Sequence, residues 1–281
     1  MQFLQTIVNG ILLGGIYAVL GIGMTLIFGI VKLTNLAHGE FIILGAYLSV
    51  VLAPIIGIDP LLTLLITVPL MFMIGYLLQY FLIDSAMKKG SESALLITFG
   101  VSIILKDSLL LIFTADAQHI AVSYATATIS LGNLNISVLN LVLFTISLIS
   151  MVILMLFLSR SYLGRAIRAT ADDKTIASVC GVNVKKIHAI AMGIAMAGAA
   201  VAGACIGMKW TFYPNSGGSY LLISFIVVVI GGMGSVPGTF LAGILFGLAQ
   251  VIGGANYGLL ISYVLLILVL MFKPKGILAD K

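Results

Sequence analysis

The chain has 281 residues, of which 61% are hydrophobic and 8% are charged. A soluble globular domain carries about 25% charged residues, so this chain is too apolar to cover a water-soluble surface. A transmembrane helix needs about 20 mostly apolar residues, which leaves room for about eight or nine such helices and excludes a soluble catalytic domain. In such a protein the net charge of +5 does not indicate nucleic-acid binding. The distribution of the cations between the loops instead indicates the orientation in the membrane.

The apolar segments predict an all-α polytopic membrane protein. Charge, proline and glycine separate them. The first segment has no basic region before it and is too long for a signal peptide, so it is expected to stay attached. The last three segments are short, so eight and nine spans both remain open. The predicted spans are 7–31, 41–58, 61–83, 93–114, 137–159, 189–208, 220–236, 238–254 and 257–272.

The 14 Lys and Arg residues fall almost entirely on one side of these spans. The two exceptions are Lys106, inside the fourth span, and Lys209, after the sixth. Because basic loops face the cytoplasm, the N-terminus is predicted outside and the C-terminus inside. The cytoplasmic cations are Lys32, Lys88, Lys89, Arg160, Arg165, Arg168, Lys174, Lys185, Lys186, Lys273, Lys275 and Lys281.

The sixth span carries a small residue at every fourth position. Such a stripe lies on one helix face and lets another helix approach closely in lipid. Ordinary packing within the chain is the expected role. The stripe consists of Ala191, Ala195, Ala199, Gly203 and Gly207.

Two polar breaks, 32–40 and 209–218, each join a glycine-rich apolar helix to another apolar helix. They lie five spans apart, so they run in opposite directions in the predicted topology. This is the pattern of an inverted repeat, with halves at about 1–136 and 189–281. Breaks of this kind line a cavity in transporters, but solvated connecting loops explain the spacing equally well.

A third break, 231–238, contains four glycines and a proline. This composition excludes a continuous helix there. A cytoplasmic turn and a backbone surface in the middle of the membrane both remain open.

Lys106 and Asp107 are charged residues inside a predicted span. Charge within a membrane is a candidate functional feature. Both residues lie in the outer third of the span, however, where a lysine reaches the interface. Structural anchoring is the preferred interpretation.

The loop 160–188 is basic, and its residues 172–179 have the pattern of a short amphipathic helix. Asp172 or Asp173 suits the start of that helix, and Gly181 suits its C-terminal cap. A capped helix between two spans transmits force when a partner docks on it. An ordinary basic cytoplasmic loop is the alternative.

Several segments resemble one family of transport proteins. The loop 160–188 resembles the coupling segment of ABC-transporter permeases. The whole chain resembles, in order, the high-affinity branched-chain amino-acid permeases of the LivH type, which implies one permease domain over 1–281. The matching segments are 33–41, 164–166, 171–172, 181–183, 231–238 and 273–278.

The resemblance implies a system of several chains in the bacterial cytoplasmic (inner) membrane. An extracytoplasmic binding protein delivers substrate, two permease chains form the path, and two cytoplasmic ATPases drive it. The second permease is usually a related chain, so a heterodimer is expected. The sequence lacks the phosphate-binding loop Gly-x-x-x-x-Gly-Lys-Ser/Thr, so ATP is expected on the partners, and this chain is expected to hold no cofactor and to be no enzyme.

Site residues follow from the same motifs. Glycines permit close approach of backbones, and the polar groups offer transient hydrogen bonds. The predicted translocation path is Asn35, His38, Gly39, Tyr213, Asn215, Gly231, Gly232 and Ser235. The predicted ATPase-docking residues are Arg165, Arg168, Ala171, Asp172, Asp173, Ala177 and Gly181.

Two departures from the family pattern leave the substrate open. Gln250 stands where a glutamate is expected, and 125–136 match nothing in the pattern. Urea and short-amide permeases share the same motifs and are the alternative. An ion-driven secondary transporter would need paired buried carboxylates, for which Asp107 alone is a poor candidate. A structural or sensory membrane protein is the remaining alternative.

Overall fold

The computed structural model describes residues 2–32, 34–132 and 134–278. Leu33 of the first break and Lys281 of the basic tail therefore lie outside the described residues. A π-helical turn, Leu78–Ile83, joins α3 to α4. The helices are α1 (Gln2–Ile30), α2 (His38–Ile56), α3 (Leu64–Leu77), α4 (Asp84–Met87), α5 (Ser91–Phe113), α6 (Val138–Arg160), α7 (Tyr162–Asp172), α8 (Lys174–Val179), α9 (Val184–Lys209), α10 (Gly217–Gly231) and α11 (Val236–Phe272).

The predicted all-α polytopic architecture is confirmed. In the described part of the chain, eight helices are long and apolar enough to cross a membrane. The last two predicted spans form one helix, α11, which kinks at Gly254, where φ is 61°. The segment after the kink, Asn256–Phe272, is apolar but shorter than the other eight.

α1 and α9 form the centre of the bundle. Both are buried along most of their length, whereas α5 and α6 are largely exposed. α1 packs on α11, α9, α6 and α10, and α9 packs on α3 and α2. The exposed faces of these outer helices consist mostly of large apolar side chains, which suits contact with lipid.

The small-residue stripe of α9 packs as predicted. A Cβ atom on Gly203 would overlap the carbonyl of Ile42 in α2, and one on Gly45 of α2 would lie 2.8 Å from the Cα atom of Ala200. Small residues thus bring two backbones into contact without apolar side chains between them. All members of the stripe are buried: Ala191, Ala195, Ala199, Gly203 and Gly207.

A β-hairpin was not predicted in the polar loop before α6. Its strands, β1 (Thr128–Leu131) and β2 (Leu134–Ser137), pair antiparallel. Gln5 of α1 fixes this hairpin: its Nε2 donates to the carbonyl of Asn135 at 2.7 Å, and its Oε1 accepts from the Asn135 N–H at 3.0 Å. The hairpin is therefore fastened to the N-terminal end of α1.

Candidate functional site

α2 begins inside the bundle rather than at its end. Nε2 of His38, its first residue, lies 3.3 Å from the carbonyl oxygen of Leu20. Since Leu20 precedes the end of α1 at Ile30 by ten residues, His38 lies about 15 Å from that end at 1.5 Å per residue. This is about half of a 30 Å hydrocarbon layer.

α10 begins at the same depth and runs the opposite way. A Cβ atom on Gly39 of α2 would overlap the carbonyl of Gly217, the first residue of α10. The far end of α2 lies beside the loop at His119, whereas the far end of α10 faces Arg168 of α7. Two broken helices that touch at their starts and diverge are the arrangement of an inverted repeat.

Three predicted path residues lie buried at this contact: Asn35, His38 and Gly39. Oδ1 of Asn35 accepts from the backbone N–H of Ala37 at 3.0 Å. This bond shapes the turn that enters α2, as Asn side chains do in turns. Asn35 and His38 therefore stabilise the start of α2 through contacts with buried backbone groups.

Tyr213 and Asn215, also predicted for the path, are exposed in the segment that leads into α10. The Tyr213 N–H donates to the hydroxyl of Ser216 at 3.1 Å, which closes the turn before α10. Gly218 is exposed as well, and a Cβ atom there would meet nothing within 4 Å. The start of α10 thus presents polar groups at the surface of the chain, beside the buried start of α2.

The remaining predicted path residues, Gly231, Gly232 and Ser235, lie at the other end of α10, about 20 Å away by helix length. The N–H of Gly234 donates to Oγ1 of Thr25, in the last part of α1, at 3.1 Å. The break is therefore a turn at the end of the bundle and not a surface at mid-depth. The eight predicted path residues do not form one cluster.

Glu40 is a buried carboxylate that was not among the predicted site residues. It lies in the first turn of α2, where the helix dipole favours an anion, and it packs against Gly217. Ser102 and Lys106 of α5 both interact with its carboxylate. Asp107 is exposed. A lone acid within an apolar segment was the signal that could have identified Glu40.

We expect Glu40 and Lys106 to be energetically coupled. Glu40→Gln and Lys106→Met should each destabilise the chain, because each leaves the other charge less compensated, and the double variant should lose less than the sum. A coupling of about 1 kcal/mol is expected, measured from unfolding midpoints in detergent micelles. Asp107→Asn, an exposed neighbour, should change stability by less than about 0.5 kcal/mol. Strict additivity would contradict the coupling.

The predicted docking residues lie on and beside α7 and α8, at the end of the bundle that carries Gly234. Ala177 is buried and Ala171 is half-buried, so these two small residues pack inward. The exposed residues are Arg165, Arg168, Asp172, Asp173 and Gly181.

The two arginines also hold α7 against α6. Nη1 of Arg165 donates to the carbonyl of Arg160 at 3.2 Å, and Nη2 of Arg168 donates to that of Ser159 at 3.5 Å. Both carbonyls are in the last turn of α6, where a helix leaves acceptors unpaired. The cations therefore cap α6 while their side chains remain exposed.

The predicted helix over 172–179 ends at Val179 as predicted but begins two residues later, as α8. The chain forms two helices with a break at Asp173, whose φ of −149° is not helical. The first helix, α7, was not predicted. Its signal was Ser161, whose hydroxyl accepts from the N–H of Gly164 at 2.8 Å as an N-cap.

The caps of α8 are those predicted. Oδ1 of Asp173 accepts from the N–H groups of Ile176 and Thr175, and these bonds hold the pKa of the carboxyl below its usual range. Gly181 has φ 85°, the left-handed conformation that ends a helix and favours glycine. α8 therefore has a defined start and stop despite its six residues.

Exposed apolar side chains on α7 and α8 were missed by the sequence prediction. Tyr162 is 73% exposed, Ile176 63% and Val179 84%. Large apolar side chains that are exposed together in a polar loop mark a surface for interaction with another protein or with the membrane. We refer to α7 and α8 together, residues 162–179, as the docking surface, after the role predicted for them.

The chain matches a family model described as branched-chain amino acid transport system / permease component over residues 6–272. The high-affinity branched-chain amino acid transport system permease protein BraD of Pseudomonas aeruginosa is 32% identical over 304 residues, covering 99% of this chain and 96% of the relative. LivH of Escherichia coli strain K12, with the same description, is 30% identical over 297 residues with the same coverage. A probable LivH of Methanocaldococcus jannaschii is 24% identical, covering 96% and 90%.

A solved structure has a similar fold. PsaBC from Streptococcus pneumoniae, in complex with Fab, superposes with a TM-score of 0.50 at 16% sequence identity, covering 98% of this chain and 93% of that one. At this identity the likeness concerns the fold alone. It agrees with the polytopic all-α architecture described above.

Proposed function

This chain belongs to the permease-component family of branched-chain amino acid transport systems, and from that premise we propose that it lines one half of the path of an ABC importer. The substrates are leucine, isoleucine and valine or similar hydrophobic amino acids, as the names of the relatives suggest. This chain supplies the path, and ATP is hydrolysed by its partners.

One observation carries the proposal: the exposed polar start of α10, near Tyr213 and Asn215, lies at the depth where α2 begins. Irregular, polar backbone at mid-membrane depth is tolerated only where it is covered by protein or lines water. The starts of α2 and α10 also direct the positive ends of two helix dipoles to this place, which suits a substrate carboxylate. We place the path at this surface, with Gly39 and Gly217 forming its wall.

A second permease chain completes the path. The polar start of α10 is exposed on a single chain, so another chain must cover it in the membrane. A related but different chain is our proposal for this partner, which makes the pair a heterodimer. An extracytoplasmic substrate-binding protein delivers the amino acid, and two ATPases bind the docking surfaces of the two permeases.

The N-terminus lies outside and the C-terminus inside a bacterial cytoplasmic membrane in this proposal. The orientation has a direct test because Cys180, beside the docking surface, is exposed and Cys205 is buried. A membrane-impermeant maleimide should label Cys180 in inside-out vesicles and leave it unlabelled in intact cells. Labelling in intact cells would reverse the orientation.

Uptake measurements test the substrate. Deleting the gene of this chain should abolish high-affinity uptake of labelled leucine, isoleucine and valine, and a plasmid copy should restore it. A large excess of unlabelled urea or acetamide should not compete. Competition by urea without competition by valine would replace the proposal with an amide permease.

Reconstitution separates the two driving forces. Proteoliposomes that contain this chain alone should not accumulate leucine under a proton or sodium gradient. Accumulation there would overturn the ABC mechanism in favour of a secondary transporter. The complete complex should accumulate leucine only with ATP and binding protein.

A further inference from the structure

A polar cavity lies at the end of the bundle that carries the hairpin, and it shares no residue with the predicted path. It measures about 520 Å3 and is bounded by α1, α6, α9, α11 and the hairpin. This volume is typical of small-molecule sites. Along α1 its wall extends from Asn9 to Tyr17, which is about 12 Å of helix.

Lys209, the last residue of α9, supplies the charge of this cavity. Its ammonium donates to Oδ1 of Asn140 at 2.7 Å. Within the described ranges of the chain, Lys209 forms no salt bridge, since the ion pairs found there both involve Asp84. The cavity wall contains no acidic residue. A half-buried ammonium without a counter-charge favours an anionic ligand.

An amide donor lies unused in the same wall. Gln250 of α11 lines the cavity, and its Nε2 is buried without a hydrogen-bond partner. A buried donor left without an acceptor is unfavourable, and an oxyanion would complete it. The kink of α11 at Gly254, also in the wall, brings Gly258 against the other side of the Gln250 amide, so the amide is held in place.

The deeper part of the cavity is aromatic. The rings of Tyr17 and Trp210 lie 6.0 Å apart between centroids, and Tyr17 also packs edge-on against Phe246 at 4.7 Å. Such a wall suits the apolar body of a ligand. One cation, one free amide donor and an aromatic wall together match a singly charged oxyanion carried on an apolar group.

We propose that this cavity binds one such oxyanion through Lys209 and Gln250. A carboxylate on a small organic molecule and the phosphodiester of an anionic lipid share this chemistry. A doubly charged phosphate is disfavoured because a single cation faces it. The site is independent of the transport proposal, since it requires neither the partner chains nor ATP.

Trp210 is the reporter for the test, because it is the single tryptophan of the chain. The full chain in lipid-free micelles of a neutral detergent is titrated with sodium isobutyrate and with leucine, against sodium chloride and leucinamide at equal ionic strength. We expect saturable changes of Trp210 fluorescence with the two carboxylates only. Lys209→Gln should weaken the response at least about tenfold, because a charge-assisted hydrogen bond is lost.

Three variants separate binding from folding. Lys209→Arg should keep the response. Gln250→Glu should abolish the response, because the new carboxylate would pair with the Lys209 ammonium and compete with the ligand. Lys89→Gln, an exposed lysine far from the cavity, should respond as the unaltered chain does.

A lipid arm distinguishes the source of the oxyanion. In nanodiscs, phosphatidylglycerol in place of phosphatidylcholine should shift Trp210 fluorescence in a Lys209-dependent way if the ligand is a lipid. A response to isobutyrate in micelles without this lipid effect assigns the site to a soluble carboxylate. Absence of a Lys209-dependent response in both arms, or an unchanged response in Gln250→Glu, overturns the proposal.

Discussion

Replacing Gly39 with alanine is expected to abolish transport and to lower the stability of the chain. The added Cβ would overlap the carbonyl of Gly217 and crowd the backbone N of Leu221 in α10. These are backbone atoms, which cannot rotate away as a side chain does, so α2 and α10 must separate. Overpacking of a well-packed contact costs about 1–3 kcal/mol or more, against a total stability of about 5–15 kcal/mol.

The sign of the stability change makes this test sharp. By helix propensity alone, alanine in place of glycine stabilises a helix by about 0.5–1 kcal/mol. The close contact predicts the opposite sign. Gly218→Ala is the matched control, since this glycine lies beside Gly217 and a Cβ there meets nothing within 4 Å.

Thermal unfolding midpoints and ATP-driven leucine uptake by the reconstituted complex provide the two measurements. We expect Gly39→Ala to unfold at a lower temperature and to transport at background level, while Gly218→Ala, the control for stability, does not lower the unfolding midpoint. A higher midpoint for Gly39→Ala would show that the starts of the two helices are not tightly packed.

Local composition was sufficient to predict most of the architecture, because lipid imposes length and hydropathy on every span. It also predicted the cap of α8 at Gly181, since a left-handed residue at a helix end favours glycine. The small-residue stripe was predictable because only small side chains let two helix backbones approach closely in lipid.

The meeting of Gly39 with Gly217 was not predictable in detail, because it joins two segments that are distant in sequence. The two breaks indicated an inverted repeat, but the depth of each break depends on how far the chain turns back after α1 and α9. For the same reason the 231–238 break could not be placed. A glycine-rich turn has the same composition at mid-membrane depth and at the surface.

The cavity around Lys209 could not be predicted from the sequence either. Lys209 was recognised only as a cation on the outer side, and Gln250 only as a departure from a family pattern. Both residues line one cavity because α9 and α11 pack on α1. This packing joins segments that are distant in sequence, so no local pattern predicts it.

Gly181→Val is expected to weaken ATPase binding and so to abolish ATP-driven transport, while leaving the fold of the bundle intact. Gly181 has φ 85°, and a left-handed conformation costs a side-chain-bearing residue about 1–2 kcal/mol. No atom lies within 4 Å of an added Cβ, so the effect is purely conformational. Because α8 has only six residues, losing its C-terminal cap should unravel it and remove Ile176 and Val179 from the docking surface.

The cap at the other end of α8 gives an independent test through Asp173. Its pKa is lowered by the N–H groups of Ile176 and Thr175, so the cap is fully present above the ordinary carboxyl pKa and is lost as the pH falls through the lowered one. ATPase binding should therefore be insensitive to pH near neutrality. Asp173→Asn should keep binding because asparagine caps equally well, whereas Asp173→Ala should weaken it.

Co-purification with the ATPase and ATP-driven leucine uptake measure the docking of both ends. Gly132→Val is the matched control, since Gly132 in the hairpin also has a positive φ, 61°, and no atom within 4 Å of an added Cβ. It should impose similar strain on the opposite side of the membrane without loss of ATPase binding. If Gly181→Val and Asp173→Ala both retained the ATPase, the partner would dock elsewhere. If Asp173→Asn lost it as completely as Asp173→Ala, the partner would contact the charge itself and not the helix that the charge begins.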